Sequence, residues 1–407
     1  MDAVNSGDTA WMMISTALVL MMTPALGFFY GGMVRKKNAL STLNLSFVMM
    51  GVISLLWITL GFTLAFGTSM GGFIGGLNYL GLSGVGDAPN PDYAPGIPFL
   101  AFAAYQMMFA IITPALFTGA FVERIRFRTF LVFAVLWSLL VYSPVAHWVW
   151  GLNGILRTLG ALDFAGGTVV HVTAGFTALA LALAIGPRRW FGRAPMEPHN
   201  IPFTMLGAGL LWVGWFGFNG GSALAANGLA VTAIVNTNTA AAAAGLMWML
   251  LTWAEGKPSV LGFVTGAVVG LVAITPAAGF VTPMAAILIG LIAAPISLYT
   301  MRLRTRRGLD ESLDVFACHG MGGLWGALAT GLFATKMVNP AGADGLFYGN
   351  PSQLVIQAIA VIAAAAVAFV VSFVLAKALN AVMGLRVTAN EEEVGLDISE
   401  HGEQAYA

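Results

Sequence analysis

Two histidines stand at matching places in the two halves of the chain. His171 opens the stretch His171-Val-Thr-Ala-Gly175, and His319 opens His319-Gly-Met-Gly-Gly323, each within a strongly apolar segment. A neutral imidazole carries one hydrogen-bond donor and one acceptor, so two of them can fix each other's tautomers while presenting ring edges to a polar guest. This chemistry suits the passage of a small polar molecule or a proton. We therefore expect the two rings to line a shared pore.

A packed structural role and a zinc site are the competing interpretations of this pair. Cys318 is the only cysteine, which excludes an intrachain disulfide and any metal site built from several thiolates. Two histidines without a third Cys, His or carboxylate ligand at the same depth make a weak zinc site. We expect neither a metal nor a cofactor.

Two carboxylates stand close to these histidines in sequence. Asp163 precedes the segment of His171, and Asp314 begins the segment of His319. An ionisable residue inside an apolar span is costly, so each is a candidate functional residue. Asp163 could accept backbone amides at the start of its helix, which is a structural role, and could also bias the local potential toward a cation.

Aromatic residues form the other candidate group, together with one hydroxyl: Phe109, Trp150, Trp215, Phe218 and Ser222. Aromatic faces attract a desolvated cation by roughly 2 kcal/mol or more, and a nearby hydroxyl can accept one of its N–H bonds. A single aromatic residue near a membrane surface is more often an interfacial anchor. These particular residues are selected only by the family resemblance described below.

Composition places these residues in a membrane protein. The 407 residues are 58% hydrophobic and 9% charged, with a mean hydropathy of +0.84, whereas soluble domains carry roughly 25% charged residues. The formal net charge is zero and no polybasic block occurs, which argues against nucleic-acid binding. Residues 1–10 are polar, with acidic residues and no basic start, so no cleavable signal is evident.

Eleven apolar runs are long enough to be membrane-spanning helices, because backbone amides in hydrocarbon must be satisfied internally. Their predicted spans are 9–34, 39–68, 98–122, 129–149, 167–186, 202–224, 230–254, 260–277, 283–303, 313–335 and 351–382. Basic residues concentrate in alternate loops, which predicts an outside N terminus and an inside tail from about Gly384. The loop from Gly71 to Pro98 is rich in Gly and Pro and should be an irregular lid or vestibule wall.

The chain also contains an internal repeat. Besides the two histidine stretches, Thr113-Pro114-Ala115 in helix 3 is echoed by Thr275-Pro276-Ala277 in helix 8. An offset of five helices inverts the second half relative to the first and places a substrate path at their interface. The predicted fold is thus an all-α integral membrane protein with an inverted 5+5 repeat plus one extra helix. Residues 1–383 form the membrane domain, and 384–407 a cytoplasmic regulatory tail.

Three internal segments and the tail closely resemble the ammonium transporter family (Amt/Mep/Rh) on its bacterial and archaeal branch. They are Asp163-Phe-Ala-Gly-Gly-Thr-Val-Val-His171, Gly214-Trp-Phe-Gly-Phe-Asn219, Asp314-Val-Phe-Ala-Cys-His319 and the tail Gly395-Leu-Asp-Ile-Ser-Glu-His-Gly-Glu-Gln-Ala-Tyr406. The resemblance covers essentially the whole chain.

This resemblance implies a homotrimer in the cell membrane, with one narrow pore for ammonium or ammonia in each subunit and no enzymatic activity. By family pattern, ammonium is recruited by Trp150, Ser222 and Phe109, with Tyr105 in the outer wall, and the gate consists of Phe109 and Phe218. The pattern also implies that Trp215 lines the pore beside His171 and His319. Asp163 would be the buried carboxylate needed for conduction. Tyr105 stands where a Phe is common. The resemblance also implies that the tail packs beneath the trimer and helps to dock a PII-type regulator, although its polar composition would equally fit disorder.

Two other functions compete with transport. A membrane sensor would act through a partner bound to the tail, but family members that sense usually append a soluble signalling domain, and only about 24 residues follow the last predicted helix. A membrane enzyme with a histidine metal site is a weaker alternative. Electrogenic ammonium transport and neutral ammonia conduction both remain open from sequence.

Overall fold

Apolar helices dominate the computed structural model, which describes residues 4–406. The main helices are α1 (Ser6–Met33), α2 (Ala39–Phe66), α3 (Phe99–Ala120), α4 (Phe127–Trp150), α5 (Gly167–Ile185), α6 (Ile201–Ala223), α7 (Gly228–Ala254), α8 (Val260–Ile274), α9 (Pro283–Arg306), α10 (Gly322–Phe333) and α11 (Pro351–Met383). Within these residues, nine helices are long and apolar enough to cross a membrane, whereas α8 has 15 residues and α10 has 12.

Each predicted span contains a helix, but several ends differ from the prediction. The first helix starts at Ser6, before the predicted residue 9, because the Asn5 side chain accepts the amide of Asp8 at 3.0 Å and caps it. The span predicted at 313–335 divides into a π-helical turn, Phe316–Met321, and α10. The predicted membrane domain and tail also include residues 1–3 and 407, which lie outside the described part of the chain.

π-helical turns interrupt the regular helices at four described places: Trp57–Gly61, Ser138–Tyr142, Gly167–Val172 and Phe316–Met321. The last two contain His171 and His319. A π turn contains one extra residue, is rare in proteins and is frequently found at functional sites. The two histidine segments thus share an unusual local geometry as well as a sequence pattern.

The helices pack into one bundle whose outer surface remains apolar. Helix α1 lies along α6, α7 contacts both α8 and α9, and α11 lies against α5 and α10. Large apolar side chains such as Leu55, Ile362 and Val374 stay exposed on the helices. This surface fits contact with hydrocarbon rather than water.

The loops lie at two opposite ends of the bundle. The tail face comprises the loops 34–38, 121–126, 186–200 and 307–315 with residues 384–406. Backbone hydrogen bonds join its parts, as from Arg126 N to the Leu385 carbonyl at 3.0 Å and from Ser312 N to the Ala120 carbonyl at 3.2 Å. The hairpin face comprises the loops 67–98, 151–166, 275–282 and 334–350, joined for example by Phe164 N and the Pro276 carbonyl at 3.1 Å.

The long loop on the hairpin face contains more regular structure than its composition predicts. Two short antiparallel hairpins form in it, β1 (Ser69–Met70) with β2 (Ile74–Gly75) and β3 (Pro89–Asn90) with β4 (Ala94–Pro98). In the turn of the second hairpin, Tyr93 packs on Phe102 of α3 with ring centroids 5.4 Å apart. The loop is therefore anchored to the helix that carries Phe109.

The tail is folded onto the tail face rather than disordered. It forms α12 (Ala389–Val394) and α13 (Leu396–His401). The Asp397 carboxylate accepts the amides of Leu40 and Ser41 at 3.1 and 2.7 Å, and the Glu400 carboxylate accepts that of Phe127 at 2.9 Å. These carboxylates cap the starts of α2 and α4, so the tail supports two helices far from it in sequence.

Buried charges hold the loops of the tail face together. The Glu123 carboxylate accepts hydrogen bonds from the backbone amide of Arg35 at 3.0 Å and from the Arg35 Nε at 2.9 Å. It also accepts one from the side-chain amide of Asn38 and one from Arg188 Nη1, both at 2.9 Å. Arg188 continues the network to Asp310 at 2.8 Å. Burial alone would raise the pKa of Glu123, but the guanidinium groups of Arg188 and Arg35 outweigh it and lower that pKa below its usual value.

A Glu123→Gln variant should therefore be less stable by about 3 kcal/mol or more at neutral pH, because it leaves buried guanidinium groups uncompensated. A carboxyl group whose pKa is lower in the folded than in the unfolded protein stabilises the fold at pH values above its unfolded pKa. This stabilisation is lost as the pH falls through the folded-state pKa. The gap between wild type and variant should thus shrink below about pH 4.5, which thermal unfolding in detergent at pH 7 and pH 4 would measure. Glu255→Gln, at an exposed ion pair with Arg302, is the control and should change little.

Candidate functional site

The two predicted histidines meet in the centre of the bundle. The Nδ1 atoms of His171 and His319 are 3.2 Å apart, their ring centroids are 5.2 Å apart, and the residues are 1% and 3% exposed. Because two bare or two protonated nitrogens would repel, one Nδ1 donates and the other accepts. The Nε2 atoms then differ too, one carrying a proton and the other offering a lone pair.

Glycines allow the two histidine turns to approach each other. A Cβ on Gly175 would lie 2.1 Å from the Gly320 amide nitrogen, and one on Gly323 would lie 3.1 Å from the Cβ of His171. Each glycine follows one histidine by four residues and packs against the π turn that contains the other histidine. The repeated His-x-x-x-Gly pattern is therefore a reciprocal packing contact that only small residues permit.

Asp163 caps the turn that carries His171. Its Oδ1 accepts the amides of Gly166 and Gly167 at 2.9 and 2.7 Å, and its Oδ2 accepts those of Thr168 and Val169 at 2.9 and 3.1 Å. Four charge-assisted bonds satisfy the first free donors of α5. The carboxylate is buried and fully used by backbone, which fits the capping role predicted from sequence.

Aromatic rings continue the line from the histidines. His171 stacks on Trp215 and on Phe218 with centroids 5.4 and 5.9 Å away. Phe218 meets Phe109 at 4.4 Å, and Trp150 lies edge to face on Phe109 at 6.0 Å. The rings of Phe109 and Phe218 are almost completely buried, so they close the path between the histidines and the hairpin face.

Hydrogen bonds fix the two indoles of this group. Trp215 donates from Nε1 to the Thr275 hydroxyl at 2.8 Å, and Trp150 donates from Nε1 to the Asp163 carbonyl at 3.0 Å. Thr275 belongs to the Thr-Pro-Ala repeat, so that motif supports the site directly. Asp163 in turn links the capped start of α5 to the aromatic group.

Tyr105 lies behind the aromatic pair and is fully buried. Its hydroxyl is 2.9 and 2.7 Å from the carbonyls of Gly217 and Phe218 and 3.2 Å from Ser222 Oγ. Ser222 donates to the Phe218 carbonyl at 2.9 Å, which leaves its oxygen lone pairs for another donor. Tyr105 thus supports the end of α6 and is not among the residues that line the cavity, unlike the outer-wall position implied by the resemblance.

Two cavities approach the buried rings from opposite faces. The hairpin-side cavity has a volume of about 510 Å³ and is lined by Phe109, Trp150, Ser222 and Asp163, among others. The tail-side cavity has a volume of about 260 Å³ and ends on His319. Between them lie Phe218, Trp215 and His171, whose Nε2 is buried without a hydrogen-bond partner among the described residues. That nitrogen is available to a molecule passing between the cavities.

The structure adds residues that the sequence did not single out. Gln106, one residue after Tyr105, lines the hairpin-side cavity, and its Oε1 is buried without a described partner. Asp314, a candidate from sequence, pairs instead with Arg304 at the mouth of the tail-side cavity. An amide on an apolar helix was the only signal for Gln106. Among residues 4–406, no cluster of three or more His, Cys, Asp or Glu residues has the arrangement of a metal site.

Comparison with known proteins identifies the family. The model of the ammonium transporter family matches residues 10–406. The chain belongs to this family. It is 52% identical over 403 residues to ammonium transporter Amt1 of Archaeoglobus fulgidus, covering 99% of this chain and 100% of that protein. It is 51% identical over 405 residues to the ammonium transporter of Bacillus subtilis, covering 99% of each.

Solved structures of family members have the same fold. The crystal structure of Mep2 from Saccharomyces cerevisiae matches with a TM-score of 0.89 and 36% identity, covering 95% of this chain and 88% of that one. A structure described as a sensor Amt protein matches with a TM-score of 0.88 and 31% identity, covering 97% and 98%. The family and the nine apolar helices make this transporter family member a multi-pass protein of the cell membrane, and its relatives are transporters rather than enzymes.

Proposed function

We propose that the protein transports ammonium by selecting the cation in the hairpin-side cavity, removing its proton at the aromatic pair and passing ammonia along the two histidines. The observation that carries this proposal is one line of side chains between two cavities. Aromatic faces and a hydroxyl stand at one end, an imidazole pair at the other, and the buried rings of Phe109 and Phe218 between them.

Recruitment would take place where Trp150, Phe109 and Ser222 line the hairpin-side cavity. Cation–π attraction of roughly 2 kcal/mol or more at a desolvated site favours a small cation. The Ser222 hydroxyl donates its hydrogen bond to the Phe218 carbonyl, so the lone pairs of Ser222 Oγ can accept a hydrogen bond from an N–H group of ammonium. An alkali ion could use the aromatic faces but could not donate that hydrogen bond, which supports selection for ammonium.

Deprotonation follows from the cost of the next step. A bare cation in a pore walled by hydrocarbon and aromatic rings costs several kcal/mol or more, whereas a neutral amine crosses at little cost. Ammonium can shed a proton and cross as ammonia, but potassium has no proton to give. The buried pair Phe109 and Phe218 would therefore exclude potassium.

The histidines offer ammonia a ring edge and the proton a path. His171 Nε2, when unprotonated, can take a proton; the proton on its Nδ1 then moves 3.2 Å to His319 Nδ1, and the one on His319 Nε2 leaves to the tail-side cavity. Each nitrogen gains and loses one proton, so the step balances. If the proton instead returns to the hairpin side, the same pore conducts neutral ammonia. Trp215 holds the His171 ring by stacking in both cases.

The membrane arrangement completes the proposal. We infer that α8 and α10 also cross, giving eleven crossings, since each connects the two faces together with its flanking turns. The basic residues of the tail face, among them Arg35, Arg124 and Arg188, support a cytoplasmic tail face and an outer hairpin face. Cysteine-reactive labelling of single cysteines placed on each face, from each side of the membrane, would test this orientation.

A homotrimer with one pore per subunit and a PII-family regulator on the tail face are proposed from the family resemblance. The path runs through a single chain, which supports one pore per subunit. The folded tail offers a fixed surface for a partner. Native mass spectrometry would test the trimer, and failure of purified PII protein to bind under any nucleotide condition would count against that partner.

Reconstitution in liposomes tests the transport proposal. Transient currents on a solid-supported membrane after ammonium pulses would reveal net charge movement, with potassium pulses and protein-free liposomes as controls. An ammonium-specific current supports the proton relay. Internal alkalinisation without current supports neutral conduction. Absence of both the current and the alkalinisation would overturn the transport proposal. It would favour a sensor function, which the structural likeness to a sensor Amt protein supports as the second candidate.

A further inference from the structure

A second buried carboxylate occupies the same sequence position as Asp163 in the other half of the chain. Glu311 precedes His319 by eight residues, and Asp163 precedes His171 by eight residues. The next acidic residue along the chain, Asp314, is only five residues from His319. The repeat therefore pairs Asp163 with Glu311, although Asp314 looks like the partner when the motifs are aligned by their aspartates.

The two carboxylates also make the same kind of contact. Glu311 Oε1 accepts the amide of Phe316, the first residue of the π turn with His319, at 2.8 Å. Asp163 Oδ1 accepts that of Gly167, the first residue of the π turn with His171, at 2.7 Å. Each half of the bundle thus holds the start of its histidine turn with one buried carboxylate. Asp163 does so beside the hairpin-side cavity, and Glu311 on the tail face.

The two sites differ in how far the carboxylate is satisfied. Both oxygens of Asp163 accept two backbone amides each. Glu311 Oε2 has no hydrogen-bond partner among the described residues, and its ion pair with Arg304 Nε is 3.7 Å long, too long for a hydrogen bond. Arg304 Nε is itself unpartnered in the described structure. Glu311 is therefore buried but incompletely compensated.

The Glu311 carboxylate is consequently easy to protonate. Burial raises the pKa of the Glu311 carboxyl to about 7; Arg304 opposes this shift and Asp314 adds to it. Among the described residues, Tyr30 of α1 and Cys318 of the histidine turn also lie within electrostatic reach of Glu311. A carboxyl in this environment changes charge near neutral pH, close to the cavity that ends on His319.

We propose that Glu311 is the tail-side counterpart of Asp163, a positioning residue that holds the turn of His319 and makes conduction depend on pH at the tail face. The inference rests on the proposed pore. Ionised Glu311 balances Arg304 and accepts the Phe316 amide strongly. Protonated Glu311 leaves the arginine charge less compensated beside the exit and accepts that amide weakly, so protons leave His319 less readily. Conduction therefore falls as pH drops.

The test compares ammonium currents of wild type and Glu311→Gln in liposomes with equal pH on both sides, from about pH 6 to pH 8. Glutamine keeps an acceptor for Phe316 and mimics the protonated acid. The ratio of wild-type to variant current should rise from about one to about tenfold, the effect of one charge in a partly buried site, along a single-group titration centred near pH 7. Glu311→Asp should retain this titration.

Glu393→Gln is the matched control, because it removes a carboxylate from another arginine pair on the tail face, with Arg189, at an exposed position that does not line the tail-side cavity, and its ratio should stay flat. A flat ratio for a folded Glu311→Gln protein would overturn the inference and leave the pore intact, whereas a wild type that shows neither current nor internal alkalinisation would overturn the proposed function. If the variant does not fold, infrared difference spectra of wild type decide: a protonated carboxyl band growing as pH falls through about 7 supports the inference, and its absence overturns it.

Discussion

Replacing both His171 and His319 with leucine is expected to reduce ammonium conduction by about a hundredfold or more, the usual loss when a positioned proton-transfer group is removed. Leucine fills a similar volume but offers neither donor nor acceptor to a molecule that has just lost its hydration. The Nδ1 contact at 3.2 Å disappears as well, so no proton can move between the two cavities. Currents and internal pH changes in liposomes after ammonium pulses would measure the loss.

His147 provides the matched control for this experiment. It is also buried, with Nδ1 2.9 Å from the Ala65 carbonyl and Nε2 2.8 Å from Ser69 Oγ, but it lines neither cavity. A His147→Leu variant should lose thermal stability, because it leaves a buried carbonyl unpaired, while its folded fraction conducts normally. Full, ammonium-selective conduction by the double leucine variant would contradict the role given to the imidazoles.

The sequence predicted the pieces of the site because they follow simple rules. Apolar length located each helical segment, and the repeated His-x-x-x-Gly pattern placed His171 and His319 together. The positions of Trp150, Phe109 and Ser222 came from family resemblance, since an aromatic residue in an apolar helix carries no sign of its own that separates a binding face from a membrane anchor.

What the sequence did not reveal depends on backbone geometry and distant contacts. A π turn differs from an α turn by one residue of hydrogen-bond register and has no composition signal, so its occurrence at both histidines was not predictable. That Glu311 accepts the Phe316 amide was not predictable for a similar reason, because the acceptor of that amide is set by the path of the loop before it. The tail's capping of α2 joins residues 357 positions apart, beyond any local pattern.

In the proposed mechanism, Asp163 serves structure and conduction through the same bonds. Its carboxylate holds the turn of His171, and its carbonyl holds the indole of Trp150 in the hairpin-side cavity. A shift of this loop would therefore move the recruiting aromatic group and the first histidine together. The capping role and the role in conduction are, on this geometry, one constraint.

An Asp163→Ala variant is accordingly expected to lose conduction almost completely, by about a hundredfold or more when the path is misaligned, and to be destabilised by about 3 kcal/mol or more, because four buried amides lose a charged acceptor. Asp163→Asn should be nearly as damaging. Its carbonyl oxygen can replace one carboxylate oxygen, but its amide group then points N–H donors at the two amides that the other oxygen served. Ammonium currents and thermal unfolding midpoints measure both effects.

Asp344 offers a control of the same chemistry on the same face, since among the described residues its carboxylate accepts a single backbone amide, that of Lys336 at 2.8 Å. Asp344→Asn should leave conduction unchanged. If Asp163 acted only by attracting cations, Asn and Ala variants would both fold with wild-type stability and lose conduction in proportion to the missing charge. A folded Asp163→Asn protein with undiminished current would instead remove the carboxylate from the mechanism altogether, because neither its charge nor its four bonds would then be needed to align His171.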